Sequence, residues 1–187
     1  MRATCLIAAS IALLGCQNGG PAVASPQVAA AQQGPASAAS GLPFRATEFA
    51  RFDAPWAMTF LPDGRLLVTE KAGTLRLFDP ATRRTGTITG VPKVAAGGQG
   101  GLGDVVLHPK FAENGRVYFS YAEAGDGDTR GAVVARAKLD LDANGGGALS
   151  AAEVIWRQVP KVEGNGHYSH RIVFAPDGTL AARYDKM

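Results

Sequence analysis

The sequence predicts an all-β domain, and within that class a β-propeller. Three observations carry the expectation. From Phe49 onward hydrophobicity alternates with a period of two, the mark of strands with one buried face. Turn signals interrupt these runs at short intervals: Pro62-Asp63-Gly64, Asn114-Gly115, Asn144-Gly145 and Pro176-Asp177-Gly178. Finally, Phe60-Leu61-Pro62-Asp63-Gly64-Arg65-Leu66 returns as Phe174-Ala175-Pro176-Asp177-Gly178-Thr179-Leu180. A looser copy runs through Leu107-His108-Pro109-Lys110-Phe111, with Asn114-Gly115-Arg116-Val117-Tyr118 supplying its turn and strand. Turns about 50 to 60 residues apart suit blades of a few strands each. A β-sandwich with similar hairpins is the alternative; the repeat favours the propeller.

The domain occupies only part of the 187 residues. Residues 1–15 read as an export signal, with Arg2 followed by an apolar run from Ala3 to Leu14. That run is too short to span a bilayer, which needs roughly 20 residues. Its end, Leu13-Leu14-Gly15-Cys16, resembles the lipobox of bacterial lipoproteins, so Cys16 is the expected lipidation site. The resemblance implies attachment to the membrane through a lipid anchor on the periplasmic side, and Gln17 after the Cys points to the outer membrane. Residues 16–44 form an uncharged tether of Ala, Pro, Ser, Gln and Gly, which cannot bury enough apolar surface to offset its ordering entropy. Residues 45–187 remain for the folded domain. They contain no Cys, so a disulfide, a thiolate metal site and a Cys nucleophile are all excluded there. The net charge is +3, no basic run exceeds Arg83-Arg84, and acids are interleaved with bases. That pattern lacks the clustered basic face of a nucleic-acid partner.

Within the domain the clearest strand is Ala132 to Leu141. Val133, Ala135, Ala137, Leu139 and Leu141 point one way; Arg136, Lys138 and Asp140 point the other. Arg65 to Glu70, Arg116 to Tyr121 and Glu153 to Val159 are further strands, each with β-branched or aromatic residues. Trp56 and Trp156 lie beside apolar residues and are expected to pack in the core or between blades. No window of a dozen residues carries a helical stripe.

Few residues are candidates for chemistry. His167 and His170 form an H-x-x-H pair after the loop Gly164-Asn165-Gly166. On a strand, positions three apart face opposite sides, so the pair is not expected to share a metal. A single His at a loop-to-strand junction suits acid–base work, because its ordinary pKa lies near ~6.5; a hydrogen-bonded structural His is the plainer reading. Gly97-Gly98-Gln99-Gly100-Gly101 has no Lys-Ser/Thr after it, which excludes a nucleotide loop. Its glycines permit close approach of a ligand, with Gln99 able both to donate and to accept; a wide turn between blades is the alternative. Asp140-Leu141-Asp142-Ala143-Asn144-Gly145 opens like a calcium loop, but Ala151 stands where the closing Glu is needed, so a hairpin is expected. His108-Pro109 reads as a turn.

Three stretches, in order, resemble the N-terminal part of the glucose/sorbosone dehydrogenase family, the soluble aldose dehydrogenases that use pyrroloquinoline quinone. They are Pro55-Trp56-Ala57-Met58 with Phe60 to Glu70, Gly98-Gln99-Gly100-Gly101-Leu102 with Leu107 to Phe111, and Gly166-His167-Tyr168-Ser169-His170-Arg171 with Ile172 to Leu180. The resemblance implies a six-bladed propeller with the quinone near the axis and calcium as a further cofactor. It implies that His167 is the general base, taking the proton of the anomeric hydroxyl of an aldose sugar as hydride passes to the quinone and a lactone forms. It implies that Gln99 hydrogen-bonds the sugar. Arg171 aligns with a family Arg and receives no role, and His170 stands where a small residue is expected.

The family's quinone-gripping residues and calcium positions fall beyond Leu180, so no cofactor-binding or metal residue is assigned. The tail Ala181-Ala182-Arg183-Tyr184-Asp185-Lys186-Met187 departs from the family pattern. The expected molecule is therefore a truncated propeller of about three blades, inactive on its own. A non-catalytic binding module on the cell surface and an abortive frameshift product are the competing expectations. Oligomeric state is left open.

Overall fold

The structure is a computed structural model and describes residues 43–183. Its first four strands are β1 (Pro55–Phe60), β2 (Leu66–Glu70), β3 (Thr74–Asp79) and β4 (Arg84–Thr89). They pair as an antiparallel meander in which each strand hydrogen-bonds the next. The β1–β2 turn follows from Pro62-Asp63-Gly64: the Gly64 N–H donates to Leu61 O (3.0 Å), and Leu61 N–H donates to Arg65 O (2.7 Å). Gly64 takes a φ of 89°, which a Cβ would oppose.

A second meander repeats the plan with β5 (Leu102–Leu107), β6 (Arg116–Ala124), β7 (Thr129–Leu141) and β8 (Gly147–Arg157). The short β9 (Val162–Glu163) adds to β7. A last hairpin pairs β10 (Ile172–Phe174) with β11 (Leu180–Ala182) and closes on the same turn, Gly178 N–H to Ala175 O at 2.9 Å. The repeated Pro-Asp-Gly pattern thus marks the same inner hairpin in the first and third blades. The looser copy marks it in the second. The described residues form two four-stranded blades and the opening hairpin of a third, which is propeller architecture.

The blades stack face to face. Leu67, Leu75, Leu77 and Ile88 on the rear of blade 1 meet Val105, Val117, Phe119, Val133 and Ala135 on the front of blade 2. Each of these Leu, Ile, Val and Phe side chains contributes about 1.5–3 kcal/mol on burial. The rear of blade 2 (Val106, Tyr118, Val134) in turn meets the front of the third hairpin (Ile172, Phe174, Leu180). A short parallel pairing, Ile88 with Gly147 and Thr89 with Ala148, joins the outer strands of the first two blades.

The structure refines or corrects three expectations. Asn114-Gly115 is the expected turn into β6, but it is built as the end of a single helical turn, α1 (Phe111–Asn114), where Gly115 at φ 62° donates its N–H to Phe111 O (2.7 Å). The alternation of β7 holds only at its outer end, because residues 131–135 are buried on both faces between neighbouring blades. Trp56 and Trp156 are 46% and 43% exposed, so neither is a core residue. Trp56 lies on the front of blade 1, which has only Ala50 and Phe52 packed on its buried residues among the described residues. The Asp142 loop is the expected hairpin: its carboxylate accepts the N–H groups of Asn144 (2.7 Å) and Gly146 (3.0 Å).

Candidate functional site

The two loops singled out in the sequence meet. Gln99 donates its backbone N–H to the carbonyl of Asn165 at 2.8 Å, tying the Gly-rich loop before β5 to the loop that carries His167. Gly98 makes this approach possible. A Cβ there would lie 2.3 Å from both Asn165 Cβ and Asn165 O, and its φ of 57° already disfavours a side chain. Lys71, at the end of β2, reaches across to donate to the Gly98 carbonyl. Arg130 extends toward the Gly164 carbonyl at 3.5 Å. Both Gln99 and His167 are solvent-exposed.

His170 behaves in the opposite way to His167. It is 2% exposed, its ring lies against Gly103 of β5, and it forms a T-shaped contact with Trp56 at 5.5 Å between ring centres. Ser120 donates its hydroxyl to the His170 carbonyl at 2.7 Å, and its oxygen lies 3.3 Å from His170 Nδ1. The single hydroxyl proton is committed to the carbonyl, so the Ser120 oxygen is left to accept at Nδ1. Nε2 makes no hydrogen bond, nor does the hydroxyl of the neighbouring buried Tyr168. Burial lowers the His170 pKa; the Gln99 backbone carbonyl and the Asp104 charge pull the other way without overcoming it. Burial likewise raises the Tyr168 pKa, against a small opposing effect of Arg130.

Asp104 is the residue sequence reading missed. It sits in the apolar run of β5 with 4% exposure and fastens the third blade to the second. Its Oδ2 accepts the Ile172 N–H at 2.8 Å, its Oδ1 accepts the Val105 N–H at 3.0 Å, and its own N–H donates to Ser120 Oγ at 3.0 Å. The exposed Arg171 guanidinium stands 3.7 Å from the same carboxylate. An acid inside Leu102–Leu107 was the available signal, since a carboxylate amid Val and Leu must find buried donors. The H-x-x-H pair therefore divides its labour: His170 anchors the segment, and His167 stands three residues upstream on an open loop.

The fold and these joined loops at the inner strands define the described residues as part of a β-propeller. The family model for glucose/sorbosone dehydrogenase matches residues 52–184, and the chain belongs to that family. The aldose sugar dehydrogenase YliI of Escherichia coli K12 is 38% identical over 131 residues, covering 70% of this chain and 34% of that protein. A solved glucose dehydrogenase superposes with a TM-score of 0.63 at 39% identity, covering 68% of this chain and 37% of that one. The pyrroloquinoline quinone-bound aldose sugar dehydrogenase of Streptomyces coelicolor gives 0.58 at 30% identity, covering 70% and 37%. The chain spans about a third of the length of the curated relatives it matches (34% and 31%).

The residues present do not by themselves suit the relatives' quinone. A polycarboxylate ligand calls for several converging cations. Here Lys71 and Arg130 hold loop carbonyls and Arg171 faces Asp104. Among the described residues no group of three or more His, Cys, Asp or Glu could hold a metal ion such as calcium. Cys16 lies outside the described residues.

Proposed function

We propose that this chain supplies the proton-accepting and sugar-orienting part of an aldose-oxidising site, and that alone it is inactive. His167 is the general base that accepts the proton of the anomeric hydroxyl, and Gln99 orients the sugar through its side-chain amide. The observation that carries this reading is the Gln99 N–H to Asn165 carbonyl bond, which sets the two loops edge to edge at 2.8 Å. Quinone and calcium, the family's cofactors, would be gripped outside the described residues. We further propose export and lipid attachment at Cys16, on the periplasmic side of the outer membrane. Labelling with a radioactive fatty acid, abolished in Cys16→Ala, tests that placement.

Two assays test the chemistry. Dye-coupled oxidation of aldoses by the chain alone, with pyrroloquinoline quinone and calcium added, is expected to give no turnover. Robust turnover would overturn the inactivity. Fusing the chain to the remaining two thirds of the Escherichia coli relative is expected to give activity. There His167→Ala should lower kcat by about 10²–10⁴-fold, and Gln99→Ala should act mainly on KM. An active fusion indifferent to His167→Ala would remove the base assignment.

A further inference from the structure

Every asparagine in the chain, Asn18, Asn114, Asn144 and Asn165, is followed by a glycine. A glycine leaves the next backbone nitrogen unshielded, so the Asn side chain can fold back onto it. Asn18 lies outside the described residues. The other three pairs differ in what the fold does to the two groups that would react, the Asn amide and the Gly N–H. At Asn114 both are engaged. Its Nδ2 lies 2.9 Å from His108 Nδ1, its Oδ1 accepts the Arg116 N–H at 2.9 Å, and the Gly115 N–H donates to Phe111 O at 2.7 Å. At Asn144 the hairpin sets a carboxylate against the backbone. Asp142 Oδ1 accepts the N–H groups of Asn144 and Gly146, on either side of the Gly145 nitrogen. That negative charge opposes a nitrogen that must give up its proton to attack.

Asn165 has neither restraint. Its side chain runs beside Gly97 and Gly98, and among the described residues neither its amide nor the Gly166 N–H makes a hydrogen bond. Both residues are exposed, and a Cβ built on Gly166 would meet nothing within 4 Å. The peptide group between them is also polarised. Its carbonyl accepts the Gln99 N–H at 2.8 Å, which draws electron density from the nitrogen of the same group. The Arg130 guanidinium, 3.5 Å from the Gly164 carbonyl, adds a positive charge beside it, the opposite of the Asp142 hairpin.

From these contrasts we propose that Asn165 is a site of spontaneous deamidation. The Gly166 nitrogen bonds to Asn165 Cγ, the bond from Cγ to the amide nitrogen breaks, and ammonia leaves with the Gly166 proton. Water then opens the cyclic imide. Attack at Cγ restores the backbone and leaves aspartate. Attack at the backbone carbonyl carbon leaves isoaspartate, in which the chain runs through the former side chain and is longer by a methylene. Either product puts a carboxylate two residues before His167, and isoaspartate lengthens the path from the Gln99 tie to that loop. The proposal is independent of any catalytic role for His167.

The test is peptide mapping by mass spectrometry of the full 187-residue chain, sampled during incubation in mildly alkaline buffer. The mass gain of an amide turned to an acid is expected first at Asn165, with isoaspartate there accepting a labelled methyl group from isoaspartyl methyltransferase. Asn114, behind three hydrogen bonds, should convert more slowly by about tenfold or more. In urea the three sites should convert at similar rates, because the fold no longer ranks them. Gly166→Ala fits the open space and should slow Asn165 alone, with circular dichroism verifying the β fold. Asn165 keeping its amide while Asn114 or Asn144 loses one overturns the proposal, as does a ranking that persists in urea. Conversion at Asn165 indifferent to Gly166→Ala in a folded chain overturns attack by the Gly166 nitrogen. Should that variant lose the β signal, the wild-type ranking with and without urea decides by itself.

Discussion

Gly103 holds a place that no other residue can take while His170 keeps its position. A Cβ built on Gly103 would lie 2.2 Å from His170 Cγ, 2.3 Å from Nδ1 and 2.5 Å from Cβ. The ring cannot yield readily, because Trp56 packs against it in a T-shaped contact and Ser120 fixes its carbonyl. Gly103→Ala therefore forces the His170 segment outward, the kind of overpacking that costs about 1–3 kcal/mol. At roughly 3–5 °C per kcal/mol for a domain of this size, Tm should fall by about 3–15 °C. His170→Gly removes the obstructing ring and also relieves its φ of 58°. In that background Gly103→Ala should cost less than about 0.5 kcal/mol, giving a coupling energy above about 0.5 kcal/mol in a double-mutant cycle. Urea denaturation of the four proteins measures the cycle. Additive effects would show that the ring does not rest on Gly103 and would refute the reasoning.

Two further predictions concern the same junction. His170 has a folded pKa below its unfolded value of about 6.5, so between these two values the unfolded chain binds more protons and stability rises with pH. Stability should be complete above pH ~6.5 and fall on acidification by at most about 1.4 kcal/mol per pH unit, levelling below the folded pKa. Urea midpoints from pH 7.5 to 5 follow this, and His170→Gly should flatten the slope attributable to this residue. Asp104→Asn leaves one oxygen for two buried N–H donors, those of Ile172 and Val105, and should cost about 1–3 kcal/mol in the urea midpoint. An unchanged midpoint would show that Asp104 does not fasten the third blade.

The parts of the fold that were legible in the sequence are those fixed by local chemistry. Pro62-Asp63-Gly64 and Pro176-Asp177-Gly178 specify their turns by themselves, so the inner hairpins and the blade repeat could be read directly. Asn114-Gly115 was ambiguous because the same dipeptide serves a hairpin or a helix end; only the Gly115 N–H to Phe111 O bond decides. Trp56 was misread for a different reason. Its neighbours in sequence are apolar, yet burial depends on what the opposite blade supplies. The candidate site divides along the same line. Gln99 and His167 announce themselves within their loops, whereas Asp104 acts on Ile172 across 68 positions and Ser120 on His170 across 50. No local pattern encodes such partnerships.

The location of those partnerships makes the site depend on the weaker of the two blade junctions. Among the described residues, fifteen buried side chains form the cluster where blades 1 and 2 meet, but Tyr118, Val134 and Ile172 form the one between blade 2 and the third hairpin, with Tyr168 on Ala122 and Ala132 in a second small cluster. Apolar burial alone therefore gives the second junction little resistance to opening, and local stability follows such burial. Asp104, Ser120 and His170 add buried hydrogen bonds at that seam, directional where the apolar contact is sparse. They also fix the chain immediately downstream of His167, while Gln99 fixes it two residues upstream through Asn165. The candidate base is thus held from both sides, downstream by buried side chains and upstream by the backbone N–H of Gln99. This is why Gly103→Ala and Asp104→Asn should reach His167 although neither residue contacts it, and why a loop that looks open is set by buried residues of β5 and β6.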